Sequence, residues 1–131
     1  MLYDHPEIHR AIVGRLGRKL VKGRGLVARI IVDAMHHARR TCEYQQERLE
    51  MLVERRTQVL LGDGEREYGI LQTKIVILDE RMVYLGSANV TLGSTNNREG
   101  LVRLVGGTVV QEVLSTVQSA AADARPFVLQ R

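Results

Sequence analysis

At 131 residues the chain has the length of one domain or part of one, enough to bury a core. Its 44% hydrophobic and 26% charged residues exclude a disordered or fibrous chain, and no apolar run approaches the roughly 20 residues that cross a bilayer as a helix. The net charge of +4 is carried by arginine far more than by Lys19, Lys22 and Lys74, which suits an anionic partner and equally a solvated surface.

Other compositional features narrow the classes further. Glu47-Arg48-Leu49-Glu50 and Glu54-Arg55-Arg56 alternate in sign, the pattern of a paired helix face rather than a binding stripe. With one Phe, four Tyr and no Trp, the chain is poorly equipped to stack single-stranded bases. Cys42 stands alone, so no intramolecular disulfide forms. Met1 to Pro6 lacks the basic stretch and apolar run of a secretory signal.

In chain order, Asp4 is the expected N-cap of a helix over 6–21, with Pro6 in its first turn and Ile8, Ala11, Ile12, Leu16 and Leu20 at helical spacing. Gly23-Arg24-Gly25 ends it. Leu26 to Val32 reads as a buried strand with Asp33 at its end, and residues 39–56 as a second helix. Strands are expected at 57–61, 70–78, 81–85 and 101–105, with a tight Asp79-Glu80 turn between the middle pair. Thr108 is the expected cap of a last helix whose inner face is Val110, Val113, Leu114, Val117 and Ala121. The tail from Arg125 reads as irregular. This order is α/β, a single domain over 1–131, with parallel strands wherever a helix crosses over.

Side chains alternate along a strand, so Gln72 and Lys74 should share one face. Ser87 and Asn89 should share a face if the chain stays extended. Four polar groups are thus expected to meet at the rim of the sheet, where open α/β sheets bind ligands.

These residues form Gln72-Thr73-Lys74, then Asp79, then Gly86-Ser87-Ala88-Asn89. The pattern resembles the phospholipase D superfamily signature H-x-K-x4-D-x6-G-S-x-N with every gap kept and Gln72 in the histidine's place. The likeness extends to Thr91 and Asn97-Arg98-Glu99, closest to the small nuclease and mitochondrial cardiolipin-hydrolase branch. The helix, glycine turn and strand through Asp33 are similar to the family's supporting fold. The resemblance implies a phospholipase D-like half-domain, a mixed sheet flanked by helices. Family half-domains usually open with a further strand and helix, which this sequence is expected to lack, leaving an unpaired strand edge and an exposed apolar face.

In the family a histidine attacks phosphorus, and a second histidine from a partner half protonates the leaving oxygen. By resemblance Lys74 is the phosphate clamp, Ser87 and Asn89 add hydrogen bonds, Glu99 backs the nucleophile position and Asp79 anchors the hairpin. The chemistry calls for no metal or other cofactor. It calls for a phosphodiester of a phospholipid or nucleic acid, and for a second half supplied by a homodimer or another chain. Gln72 interrupts the scheme: a carboxamide hydrogen-bonds phosphate but forms no phosphoramidate and is no acid near neutral pH. The expected result is a phosphodiesterase domain with impaired turnover, or a non-catalytic phosphodiester-binding or scaffolding module. Bland readings stand beside these. Lys74 can be a strand-end lysine, Ser87 and Asn89 turn residues, and Glu99 a surface acid paired with Arg98 or Arg103. His36-His37 and the pair His5 and His9 lack a third ligand at a familiar metal spacing.

Overall fold

The computed structural model describes residues 3–21, 28–39, 44–63 and 72–129. In chain order these form α1 (Pro6–Val21), β1 (Arg29–Asp33), α2 (Ala34–Ala38), α3 (Gln45–Glu54) and β2 (Gln58–Gly62). There follow β3 (Ile75–Leu78), β4 (Met82–Gly86), a 3-10 turn (Gly93–Asn96), β5 (Leu101–Val105), α4 (Gly107–Asp123) and β6 (Arg125–Pro126). The expected glycine turn at 23–25 and Cys42 lie outside the described residues.

The strands make two three-stranded sheets. In the first, β1 runs parallel to β2 from Arg29↔Gln58 to Asp33↔Gly62, as a helical crossover demands, and β6 joins β2 antiparallel through Leu60↔Pro126. In the second, β3, β4 and β5 form an antiparallel meander. The main core lies over the first sheet, where Leu16 of α1 and Leu49 and Leu52 of α3 meet Val32, Val59, Tyr3 and Phe127. Leu49, Leu52 and Val32 are completely buried. Burial of a leucine on this scale contributes about 2 kcal/mol. Leu60, on the opposite face of β2 from Val59, is buried as well, and α4 packs against β2, β4 and β5.

Five expectations change. The helix expected over 39–56 is α3, Gln45–Glu54, and a separate short helix, α2, precedes it where none was expected. Asp33 ends β1 and caps α2 at once, its carboxylate accepting the His36 N–H at 2.7 Å. Asp4 does not cap α1. Arg48 holds its carboxylate, and His5 Nδ1 accepts the Ile8 N–H at 3.4 Å instead. Thr108 lies inside α4, whose cap is Gly106 at φ 66. The strand placed over 70–78 has its first described strand residue at Ile75, so Gln72 and Lys74 precede it. The tail is not irregular: Phe127 donates its N–H to Val59 O at 3.0 Å and buries its ring. Pro126 has no N–H to contribute, which suits a two-residue edge strand.

Candidate active site

The site is built at one end of the β3–β4–β5 meander. The hairpin between β3 and β4 turns through Asp79, Glu80 and Arg81, with Asp79 and Glu80 in the left-handed region at φ 52 and 55 and the Arg81 N–H donating to Leu78 O at 3.1 Å. That turn fixes the register Ile75↔Leu85, and one step further Gly86 N–H donates to Lys74 O at 3.3 Å. On the other side of β4, Gly86 pairs with Leu101 and Ser87 N–H donates to Gly100 O at 3.0 Å. The backbones of Lys74, Gly86-Ser87 and Gly100 therefore lie side by side. Glycine is required at 86, because a Cβ there would run into the Gly100 carbonyl.

Two side-chain clusters stand on this frame. Lys74 Nζ donates to Gln72 O at 2.8 Å and to Gln72 Oε1 at 3.4 Å, so the ammonium lies beside Gln72 with one donor left over. Ser87 Oγ donates to the Glu99 carboxylate and accepts the Gly100 N–H at 3.1 Å. Asn97 Nδ2 donates to the other Glu99 oxygen at 3.4 Å. The loop after β4 is folded by its own hydroxyls: Asn89 N–H donates to Ser94 Oγ at 3.1 Å, and the Thr91 and Ser94 hydroxyls are 3.3 Å apart.

The expected site residues thus divide. Gln72 and Lys74 are together and Ser87 and Glu99 are together, on backbone segments that lie side by side. Glu99 has no hydrogen bond to Gln72 among the described residues; its partners are Ser87 and Asn97. Asp79 is exposed at the tip of the hairpin, at the opposite end of β3 from Lys74. Ser94, in the 3-10 turn, lies outside the sequence signature. Its signal is the Thr91-x-x-Ser94 spacing of a single tight turn.

The four histidines lie elsewhere. His36 Nδ1 is 2.8 Å from Asp33 Oδ1, and the His37 ring packs edge-on against Phe127. His5 and His9 are buried at the start of α1. Among the described residues none of them hydrogen-bonds Gln72, Lys74 or Ser87. Burial, with Arg48 and Arg55 adding to it and Glu47 opposing, lowers the His9 pKa below the ordinary 6.5; burial and then Arg125 lower that of His37. Burial, opposed by Arg48, pushes the Tyr3 phenol up to about 12. No group of three or more potential metal ligands occurs among the described residues.

The fold and site define an α/β domain that presents an ammonium, a hydroxyl and carboxamides at the end of an antiparallel meander. Residues 3–120 match the family described as cardiolipin synthase, PLD-like domain, and the chain belongs to this phospholipase D-like family. Two solved structures are similar to it. One is Nuc, a phospholipase D family member from Salmonella typhimurium (TM-score 0.76, 20% identity, 97% of this chain and 77% of that one), a likeness of fold alone. The other is NucT from Helicobacter pylori (TM-score 0.76, 26% identity, 95% of this chain and 77% of that one). No curated protein gives a significant match.

Proposed function

We propose that this domain binds phosphodiesters through Lys74, Ser87 and Asn89, and that hydrolysis is impaired because Gln72 stands at the nucleophile's position. The observation that carries the reading is the ammonium of Lys74 set against Gln72, one residue across the register from the Gly86-Ser87 step. Lysine is a strong point-charge partner for non-bridging phosphate oxygens, and its free donor can meet charge that builds on them. Ser87 already gives its proton to Glu99, so its oxygen is oriented by the carboxylate, and phosphate must compete for that proton. What the cluster lacks is a nitrogen lone pair able to form a P–N bond while the P–O bond breaks.

The ligand is a phospholipid or nucleic-acid diester. The second half of the site comes from another copy of this chain or from a different chain bearing His-x-Lys. Impaired diesterase and pure binding module share the same cradle and differ only in turnover.

The test is hydrolysis of bis(p-nitrophenyl) phosphate by the wild type, Gln72→His and Gln72→His/Lys74→Ala. The wild type is expected to match buffer. The single variant should exceed it by on the order of a hundredfold or more, and the double variant should lose that gain. Equal rates for wild type and Gln72→His would refute the role given to position 72.

A further inference from the structure

The loop that carries Asn89 is gripped from the opposite end of the chain. The carbonyl of Val90, the next residue, accepts two backbone N–H groups, from Asp4 at 2.6 Å and from His5 at 3.0 Å. Tyr3 forms an isolated parallel bridge with the same residue. These gripping residues are fixed in turn by α1 and α3. Tyr3 N–H donates to Gln45 Oε1 at 2.9 Å, and the Tyr3 hydroxyl lies 3.2 Å from His9 Nδ1. The Arg48 guanidinium donates both to the Asp4 carbonyl and to its carboxylate. Tyr3 is 1% exposed, Gln45 2% and His9 6%, so the network is dry at its centre.

A buried polar network holds its geometry only while its members stay satisfied. Packing alone would require just the Tyr3 ring. Two amides converging on one carbonyl, with a guanidinium bracing the segment that supplies them, fix where that carbonyl points. On its other flank the Asn89 N–H is tied to Ser94 Oγ. The backbone on either side of the Asn89 side chain is therefore held from two directions.

We propose that Tyr3, Asp4 and Arg48 are positioning residues for the anion site, acting through the Val90 carbonyl to set the backbone at Asn89. This rests on the reading that Asn89 serves phosphate. Arg48 and Tyr3 belong to the first sheet's core and its helices, so the site on the second sheet depends on a clamp assembled in the first.

The experiment uses inorganic tungstate as the probe. Its Kd is measured by calorimetry, and backbone amide shifts are followed in the same titration for the wild type, Arg48→Met, Arg48→Lys and Tyr3→Phe. In the wild type, Lys74, Ser87 and Asn89 respond. In Arg48→Met the Kd should rise about tenfold, the worth of one hydrogen bond to the anion. The Lys74 response should remain and the Asn89 response should shrink. Arg48→Lys should recover part of the loss. A variant that is merely unstable loses the shifts of Leu49 and Val59 together with every site response. Should Arg48→Met not fold, Tyr3→Phe, which removes one oxygen, is expected to change the Asn89 response in the same direction. Wild-type Kd and Asn89 shifts in all folded variants overturn the clamp and leave the anion site standing. No tungstate response at Lys74, Ser87 or Asn89 in the wild type overturns the anion site and the positioning role with it.

Discussion

The two sheets are built to different standards. In the first, Val32, Leu49 and Leu52 are wholly buried beneath α1 and α3. In the second, Val83 is the one fully buried strand residue, while Leu78, Leu101 and Val105 are 48%, 59% and 65% exposed. The register shows why. Val76, Tyr84 and Arg103 lie in one row and Leu78, Met82 and Val105 in the next, so all six share a face. That face includes the exposed Val76, Leu78 and Val105, whereas Val83 and Leu104 lie on the other side. One region supplies stability, and the other displays the candidate site on loops and strand ends, where substitution is tolerated and ligands arrive.

The largest test of this contrast is a matched pair of truncations. Leu52→Ala should cost about 3 kcal/mol, since it empties a fully buried position. Leu78→Ala, on the open face, should fall within about 0.5 kcal/mol of the wild type. Urea midpoints decide it. Comparable losses would mean that the open face is covered in solution.

Acid should act on the first sheet and its helices. All four histidines belong to that half of the chain, and residues 72–105 contain none. His9 and His37 both have folded pKa values below the ordinary 6.5. The unfolded chain therefore binds protons that the folded one does not, and stability rises with pH across that interval. The contribution is fully present above about 6.5 and is lost as pH falls toward the folded values, by at most about 1.4 kcal/mol per pH unit for each histidine. Thermal melts between about pH 7.5 and 5 should show the decline, and His9→Gln should flatten it. A decline of the same slope in that variant would remove His9 from the account.

Much of this was legible locally. The apolar spacing of α1 and the short apolar runs of β1, β2, β4 and β5 follow from near-neighbour chemistry, and so does the Asp79-Glu80 turn. The motif was legible because its spacing is a register. Gly86 must lack a Cβ beside Gly100, and Lys74 must sit opposite Gly86. What escaped were contacts made at long range. Arg48 reaches Asp4 across 44 residues, and Phe127 closes the core from the far end of the chain. Neither has a periodic signature. Asp33 misled through its double duty, ending a strand and starting a helix in one residue.

The smallest expected effect gives the finest comparison. Arg56 stands at φ 63 after α3, with its N–H on Val53 O at 2.9 Å and the Thr57 N–H on Leu52 O at 3.0 Å, the paired bonds that end a helix with a left-handed residue. Glu80 stands at φ 55 in the β3–β4 turn. Each side chain strains its backbone by about 1 kcal/mol, and glycine relieves the strain at some cost in unfolded-chain entropy. Arg56→Gly and Glu80→Gly should therefore each gain about 0.5 kcal/mol if the protein unfolds as one unit, with hydrogen-exchange protection rising equally in β2 and β4. If the meander opens by itself, Glu80→Gly should protect β4 and leave β2 unchanged. Arg56→Gly should then protect β2 alone, which would make the two sheets separate cooperative units.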